Sequence, residues 1–267
     1  MAPSSAAPNS AAPSSAAPSS AASNAAIQAR SGALGGLPSR ADVVARYGGL
    51  RPQAWGLDLP GMVSRLPAAG RELALTFDAC GGPGGRGYDR ALIDTLRRWA
   101  VPATLFLNTR WIDANPSVVA ELIADPLFEI GNHGTAHRPL STSGRSAYGI
   151  AGTRDAGEVF DEVAGNHLRL TTLLGTPPRY FRSGTAHYDD IAVRIVGDLG
   201  ETVAGFGVNA DSGATASPAQ VAAALLSAAP GAVVIGHLNH PDHGTAAGVA
   251  AALPQLLDRG SRFTHLP

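Results

Sequence analysis

The sequence predicts an α/β protein built on a parallel sheet, closed into a barrel or left open and doubly wound. Three observations predict it. From about residue 71 short apolar runs of strand length alternate with longer runs of helical period. Some strand runs, such as "AVVIGH", are continuously apolar, as strands covered on both faces are. A chain of 267 residues that is 45% hydrophobic and 15% charged can bury one sizeable core. Such alternation implies parallel strands joined by right-handed crossovers.

The elements follow in order. "ELALTF" leads into the helix-period run "YDRALIDTLRRWA", with Asp89 placed as its N-cap. "ATLFLN" leads to "NPSVVAELIAD", and "LFEIG" to a long loop and then "GEVFDEVAGNHLRLTTLLG". "PRYFR" precedes "YDDIAVRIVGDLG", "TVAGFGV" precedes "PAQVAAALLSAAP", and "AVVIGH" precedes "TAAGVAAALPQLLDRG" before the chain closes on "SRFTHL". The count is seven strands. Upstream, residues 1–26 repeat a five-residue Ala/Pro/Ser unit, which predicts a disordered linker with neither the basic start nor the apolar region of a secretory signal. Linkers of this kind tether a domain to something upstream. Residues 27–70 are expected to form an N-terminal extension packing on the barrel, and residues 71–267 the catalytic domain.

The net charge of −1 and the scattered arginines argue against nucleic acid as a partner, and no stretch is long and apolar enough to span a bilayer as a helix. A single cysteine, Cys80, excludes an intramolecular disulfide.

On this map the unusual polar residues fall at carboxyl ends of strands. Asp78 follows the first strand, Asn108 the second and His133 the third; Arg182 ends the fourth, Asp211 lies past the fifth and His237 ends the sixth. In parallel α/β folds loops from several strands converge on that edge, over a rigid scaffold, to build the active site.

His133 and His137 in "EIGNHGTAHRPL" can face one way if the chain turns helically there, which suits a metal with imidazole affinity such as zinc; the bland alternative is a solvated loop. Gly131 and Gly134 fit a tight turn and close ligand approach. Asp78 would be costly to bury without a partner, and beside a metal it reads as general base or ligand rather than as a turn cap. Arg182, opposite Asp78, would orient and charge-balance that carboxylate. His237 reads as a proton donor to a leaving amine. Asp211 reads equally as an orienting carboxylate or a turn residue. His240 stays open between chemistry and an exposed loop, while His167, His187, His243 and His265 read as structural.

At these residues the chain resembles the polysaccharide deacetylase (NodB-homology) family, carbohydrate esterases that remove N-acetyl groups from amino sugars. The resemblance covers roughly residues 70–267. "TFDAC" is similar to the family's TFDD block, "HGTAH" to its H-x-x-x-H block, "FRSG" to its arginine block, "VNADSG" to its aspartate block and "VIGH" to its terminal His block. The resemblance implies a distorted (β/α) barrel of about seven parallel strands. It implies Asp78 as general base, His133 and His137 as ligands of a divalent metal, taken as zinc, Arg182 and Asp211 as supporting residues and His237 as general acid. The implied partner is an N-acetylated glycan such as peptidoglycan, a chitin-like polymer or poly-N-acetylglucosamine, met outside the cytoplasm or in the cell envelope.

Two departures accompany it. Ala79 stands where the family carries a second aspartate, normally a metal ligand, and "RSGTAHYDD" replaces the Arg-Pro-Pro block. A metal-independent amidase acting on a small molecule and an inactive glycan-binding module are the alternatives these leave. In an extended strand Asp78 and Cys80 point to one side and Ala79 to the other, so Cys80 reads as a zinc thiolate or as a small buried apolar residue. The second reading is taken, with Asp78 or water completing the coordination.

Overall fold

The structure, a computed structural model, describes residues 36–67 and 70–267; the Ala/Pro/Ser tail and the first part of the expected extension lie outside the described residues. Its strands are β1 (Trp55–Gly56), β2 (Met62–Val63), β3 (Glu72–Ala79), β4 (Ala103–Leu107), β5 (Phe128–Asn132), β6 (Tyr180–Phe181), β7 (Tyr188–Asp189), β8 (Thr202–Ala204), β9 (Val208–Asn209), β10 (Val233–His237) and β11 (Arg262–Phe263). Eight of them pair in the order β2-β8-β6-β5-β4-β3-β10-β9, and β11 adds to the start of β3. Every pairing in this sheet is parallel.

The choice between an open sheet and a barrel is decided by one short connection. The β8 and β9 strands lie six pairings apart along the path, yet only Gly205–Gly207 separate them in sequence. Six strand spacings in a flat sheet come to about 29 Å, whereas four virtual bonds reach at most about 15 Å. The sheet must therefore curl until its ends meet, and the amides of Gly205 and Gly207 bond the carbonyls of Val63 and Val233 across the seam at 3.0 and 2.8 Å. The fold is the distorted (β/α) barrel. The run "TVAGFGV", read as one strand, is broken at this seam into two.

Alternation along β3 sorts its side chains. Leu73, Leu75, Phe77 and Ala79 face outward and pack with Leu92, Ile93, Leu96, Val249 and Leu253 of the covering helices. Ala74 points inward with Phe106, Tyr180, Ala204 and Val233. Successive strand residues must take opposite faces, so Thr76 and Asp78 share the interior side. The first covering helix, Arg90–Arg98, begins where the sequence indicates: the Asp89 carboxylate accepts the Leu92 amide at 3.0 Å. The other covering helices, Pro116–Ala124, Ala156–Leu174, Asp190–Asp198, Pro218–Leu226 and Thr245–Asp258, fall on the runs of helical period.

Ahead of the barrel, the helix Arg40–Tyr47 starts on a Ser39/Asp42 capping box and buries Val43 and Tyr47 against Val159, Phe160, Ile191 and Ile195. Besides this helix, four short elements went unseen in the sequence: β2, β1 and β7, which pair as an antiparallel ribbon, and the helix Thr109–Ala114. The strands are two residues each and the helix is six, too short for any period to register.

Candidate metal and acid–base site

The carboxyl edge of the barrel is organised around a buried ion pair. Asp78, 3% exposed, sits level with Phe106 of β4 and His237 of β10 in the strand registers. Its Oδ1 accepts from Nη1 of Arg182 at 2.9 Å. Arg182 is fully buried, and three of its four other N–H donors are used: Nη1 also reaches Thr76 Oγ1 at 2.8 Å, Nε the Ala204 carbonyl at 3.2 Å and Nη2 the Gly205 carbonyl at 3.0 Å. Its guanidinium lies 4.3 Å from the centre of the Phe106 ring. The ring has room because β5 carries glycine there: a Cβ on Gly131 would lie 2.6 Å from Phe106. Gly131 thus serves the barrel interior, not the ligand approach expected of it.

His133 follows β5 and is fully buried. Its Nδ1 lies 2.8 Å from the Arg182 carbonyl oxygen, which can only accept, so Nδ1 carries a proton and Nε2 is the ring nitrogen turned to the site. That Nε2 is 3.7 Å from Asp78 Oδ2 and 3.6 Å from Cys80 Sγ. The His137 ring meets the His133 ring edge-on, centroids 5.0 Å apart.

The helical turn expected between the two histidines is absent. Gly134 and His137 both take left-handed backbone angles, φ 75° and 63°, and the loop wraps round the buried carboxylate of Glu162. Glu162 accepts the amides of Ala136 and Arg138, at distances from 2.9 to 3.2 Å. Burial pushes its pKa up, and these amides only partly oppose that. A side chain at Gly134 would lie 2.5 Å from Glu162, so this glycine is required by the wrap. Asn108 fastens the start of the loop by donating to the carbonyls of His133 and Gly134, both at 2.8 Å.

Cys80 corrects a second expectation. Ala79 is sealed in the outer core, whereas Cys80 is partly exposed and turned into the site. Its Sγ, with one ring nitrogen each of His133 and His137, forms a set whose atoms all lie within 4.8 Å of one another. Burial pushes the thiol up, but the surrounding imidazoles of His133, His137 and His237 outweigh this and hold it well below the usual thiol range.

The site fits a divalent ion on the donors themselves. The Nε2 of His137 is buried with no hydrogen-bond partner among the described residues, an unusual state for an imidazole nitrogen. Two imidazoles and a thiolate are the donors zinc prefers, and tetrahedral bonds of 2.0–2.3 Å put ligand atoms about 3.5 Å apart, close to the 3.6 Å between Cys80 and His133.

Across the site His237 forms a dyad with Asp211. Its Nδ1 is 2.9 Å from Asp211 Oδ1, and its amide donates to Oδ2 at 2.7 Å. Thr245 donates to the same Oδ2 at 2.9 Å, which leaves the fully buried Asp211 well satisfied. Burial alone would lower the His237 pKa, yet the Asp211 carboxylate and Cys80 hold it well above the usual imidazole value. Burial pushes Asp211 up, but His237, the Ala214 amide and the Thr245 hydroxyl together hold it below the usual carboxylate value.

All six residues singled out in the sequence therefore meet at this edge. The remaining histidines do not join them: His167 pairs with Glu201 at 2.7 Å inside the protein, His240 stacks on His243, and His265 bonds the Leu127 carbonyl before β5. Glu162 and Thr76 were missed as site residues, and Cys80 was weighed as a thiolate ligand but taken as a buried apolar residue. Glu162 lies mid-helix, and nothing local marks it as the core of a loop more than twenty residues earlier in the chain.

The family model for polysaccharide deacetylases matches residues 66–204, just over half of the chain. The match takes in Asp78, Cys80, His133, His137 and Arg182 and ends before Asp211 and His237, which the fold alone brings in. A Bacillus subtilis protein, YlxY, described as uncharacterized, is 24% identical over 178 residues; the match covers 66% of this chain and 51% of that one, so the chain spans about half the length of this relative. Among solved structures, a family 4 carbohydrate esterase pseudoenzyme from Bacillus anthracis, BA3943, superposes with a TM-score of 0.65 at 20% identity, over 77% of this chain and 67% of that one. The Bc1960 peptidoglycan N-acetylglucosamine deacetylase gives 0.65 at 22% identity, over 78% and 91%. The family 4 esterase PdaA of Bacillus subtilis gives 0.61 at 19%, over 77% and 82%.

Proposed function

The chain belongs to the polysaccharide deacetylase family, and from that premise we propose that residues 71–267 form a hydrolase that removes N-acetyl groups from the amino sugars of a glycan. The observation that carries the reading is the meeting, at one edge, of a charge-tied carboxylate, an imidazole paired with a second carboxylate and a three-donor metal set. The substrate is peptidoglycan, a chitin-like polymer or poly-N-acetylglucosamine, and the peptidoglycan activity of one structural neighbour supports the first of these.

His133, His137 and Cys80 would hold a divalent ion, zinc by the donor set, with the thiolate doing what the aspartate replaced by Ala79 does in the family pattern. Bound there, the ion supplies a Lewis acid for the acetamido carbonyl. Asp78 is the general base: Arg182 occupies Oδ1, so Oδ2, directed towards His133, is left to take the proton of the attacking water. His237 is the general acid. The Asp211 carboxylate fixes its Nδ1–H, keeps the ring protonated near neutral pH and leaves Nε2–H to protonate the departing amine.

Ala79 favours one second reading, an inactive glycan-binding module, and a structural neighbour is described as a pseudoenzyme. Acetate release from N-acetylated glycans, with metal content measured on the same sample, separates the two. The expected result is release by the zinc-loaded protein and a loss of about 100- to 10,000-fold in Asp78→Asn and His237→Ala with unchanged circular dichroism. No release from any of the three glycans, or near-wild-type rates in either variant, would overturn the hydrolytic reading.

A further inference from the structure

Beside this site, three segments far apart in sequence bring aromatic rings together on the surface. The rings of Tyr148 and His187 meet edge-on with centroids 5.1 Å apart, and Trp55 tilts against His187 at 5.7 Å. The guanidinium of Arg145 lies 5.0 Å from the centre of the Trp55 ring. The arrangement is fixed from beneath: β1 carries Trp55 and pairs it with Asp189, two residues past His187, and the Leu140 amide bonds the His187 carbonyl at 3.0 Å.

Tyr148 is the informative member. Ala147 and Ile150 exchange both backbone hydrogen bonds around it, at 3.1 and 2.9 Å, so Tyr148 and Gly149 are the two central residues of a tight hairpin turn. Both have positive φ, 51° and 75°, the type I′ pattern that strongly favours Asn, Asp or Gly. A bulky aromatic residue there is an outlier for folding alone. It holds a ring 76% exposed, which no core requires.

The platform is joined to the site by the segment Ser183–His187. Gly184 is packed so closely under His137 that a Cβ would collide with its ring, and His187 lies three residues on, within about 10 Å of chain. Resting on the deacetylase reading, we propose that Trp55, Tyr148 and His187 form a sugar-stacking subsite that binds the pyranose ring next to the one being deacetylated. The C–H groups on the face of a pyranose carry slight positive charge and meet the negative face of an aromatic ring. Arg145 offers donors to the hydroxyls at its edge. The N-terminal extension, which supplies Trp55, thereby becomes part of the substrate groove.

The test is calorimetric binding of the β-1,4-linked tetramer of N-acetylglucosamine, with acetate release measured on the same tetramer. Tyr148→Ala is expected to weaken binding and raise KM about tenfold with kcat within about twofold, while Tyr148→Phe keeps the affinity. Wild-type protein that releases acetate while Tyr148→Ala and Trp55→Ala bind like wild type would overturn the subsite and leave the deacetylase reading standing. Tyr148-dependent binding without acetate release would support the sugar-stacking subsite and leave the deacetylase reading to the test on the other glycans. Absence of any tetramer binding would overturn the subsite.

Discussion

Replacing Arg182 with methionine tests the centre of the barrel, because this side chain holds together the charge, the core and the site. Methionine keeps much of the apolar volume over Phe106 but removes every donor. Asp78, 3% exposed, then loses the cation bonded to its Oδ1, and the carbonyls of Ala204 and Gly205 lose their side-chain donors. Breaking a buried pair from one side costs about 3–5 kcal/mol, and each carbonyl left short adds about 1 kcal/mol or more. A loss of about 5 kcal/mol, at roughly 2–4 °C per kcal/mol for a domain of this size, lowers Tm by about 10–20 °C. Thermal unfolding followed by circular dichroism, with urea titration as a second measure, reads it directly. The double variant Arg182→Met with Asp78→Leu should recover part of the loss, since it no longer strands a charge. A Tm within about 3 °C of wild type for Arg182→Met, or a double variant less stable than the sum of the single changes, would refute the assignment of the pair as the internal clamp.

The remaining expectations concern the metal set and the acid. Cys80→Ser should weaken zinc binding at least about tenfold in a chelator competition, whereas Cys80→Asp should keep more of it; equal affinity in wild type and Cys80→Ser would remove the thiolate from the ligand set. Glu162→Gln replaces an acceptor by a donor facing the amides of Ala136 and Arg138 and should loosen zinc by about 10- to 100-fold through His137, as the loss of a supporting partner does. Unchanged affinity there would mean that the loop holds its shape without the carboxylate. Asp211→Asn removes the anion that keeps His237 above the usual imidazole range, so the ring gives up its proton at lower pH and the alkaline limb of kcat/KM moves down. A limb that stays in place would assign the acid to another group.

Much of this molecule is legible in one dimension. The strand runs and the helix runs between them survive in the fold, as does the Asp89 cap, because these signals act within a turn or two of chain. Asp78, His133, Arg182, Asp211 and His237 could be placed on one edge from element order alone, since strands that run in parallel put all their carboxyl ends together. The choice of closed barrel over open sheet could not be read from the strands themselves; it follows from the seam at Gly205–Gly207, where β8 and β9 are drawn together.

What the sequence by itself determined, then, is the succession of elements, the inward and outward sides of β3 and the edge that carries the chemistry, each set by local period and chain direction. Only the tertiary structure decided which atoms meet. The loop from His133 to His137 takes its shape from Glu162, more than twenty residues later in the chain, and not from helical spacing. Cys80 is turned to the histidines because Ala79 is pinned in the outer core. Tyr148 joins Trp55 and His187 across three separate segments. Such contacts depend on packing between distant parts of the chain, where neither period nor propensity carries a signal.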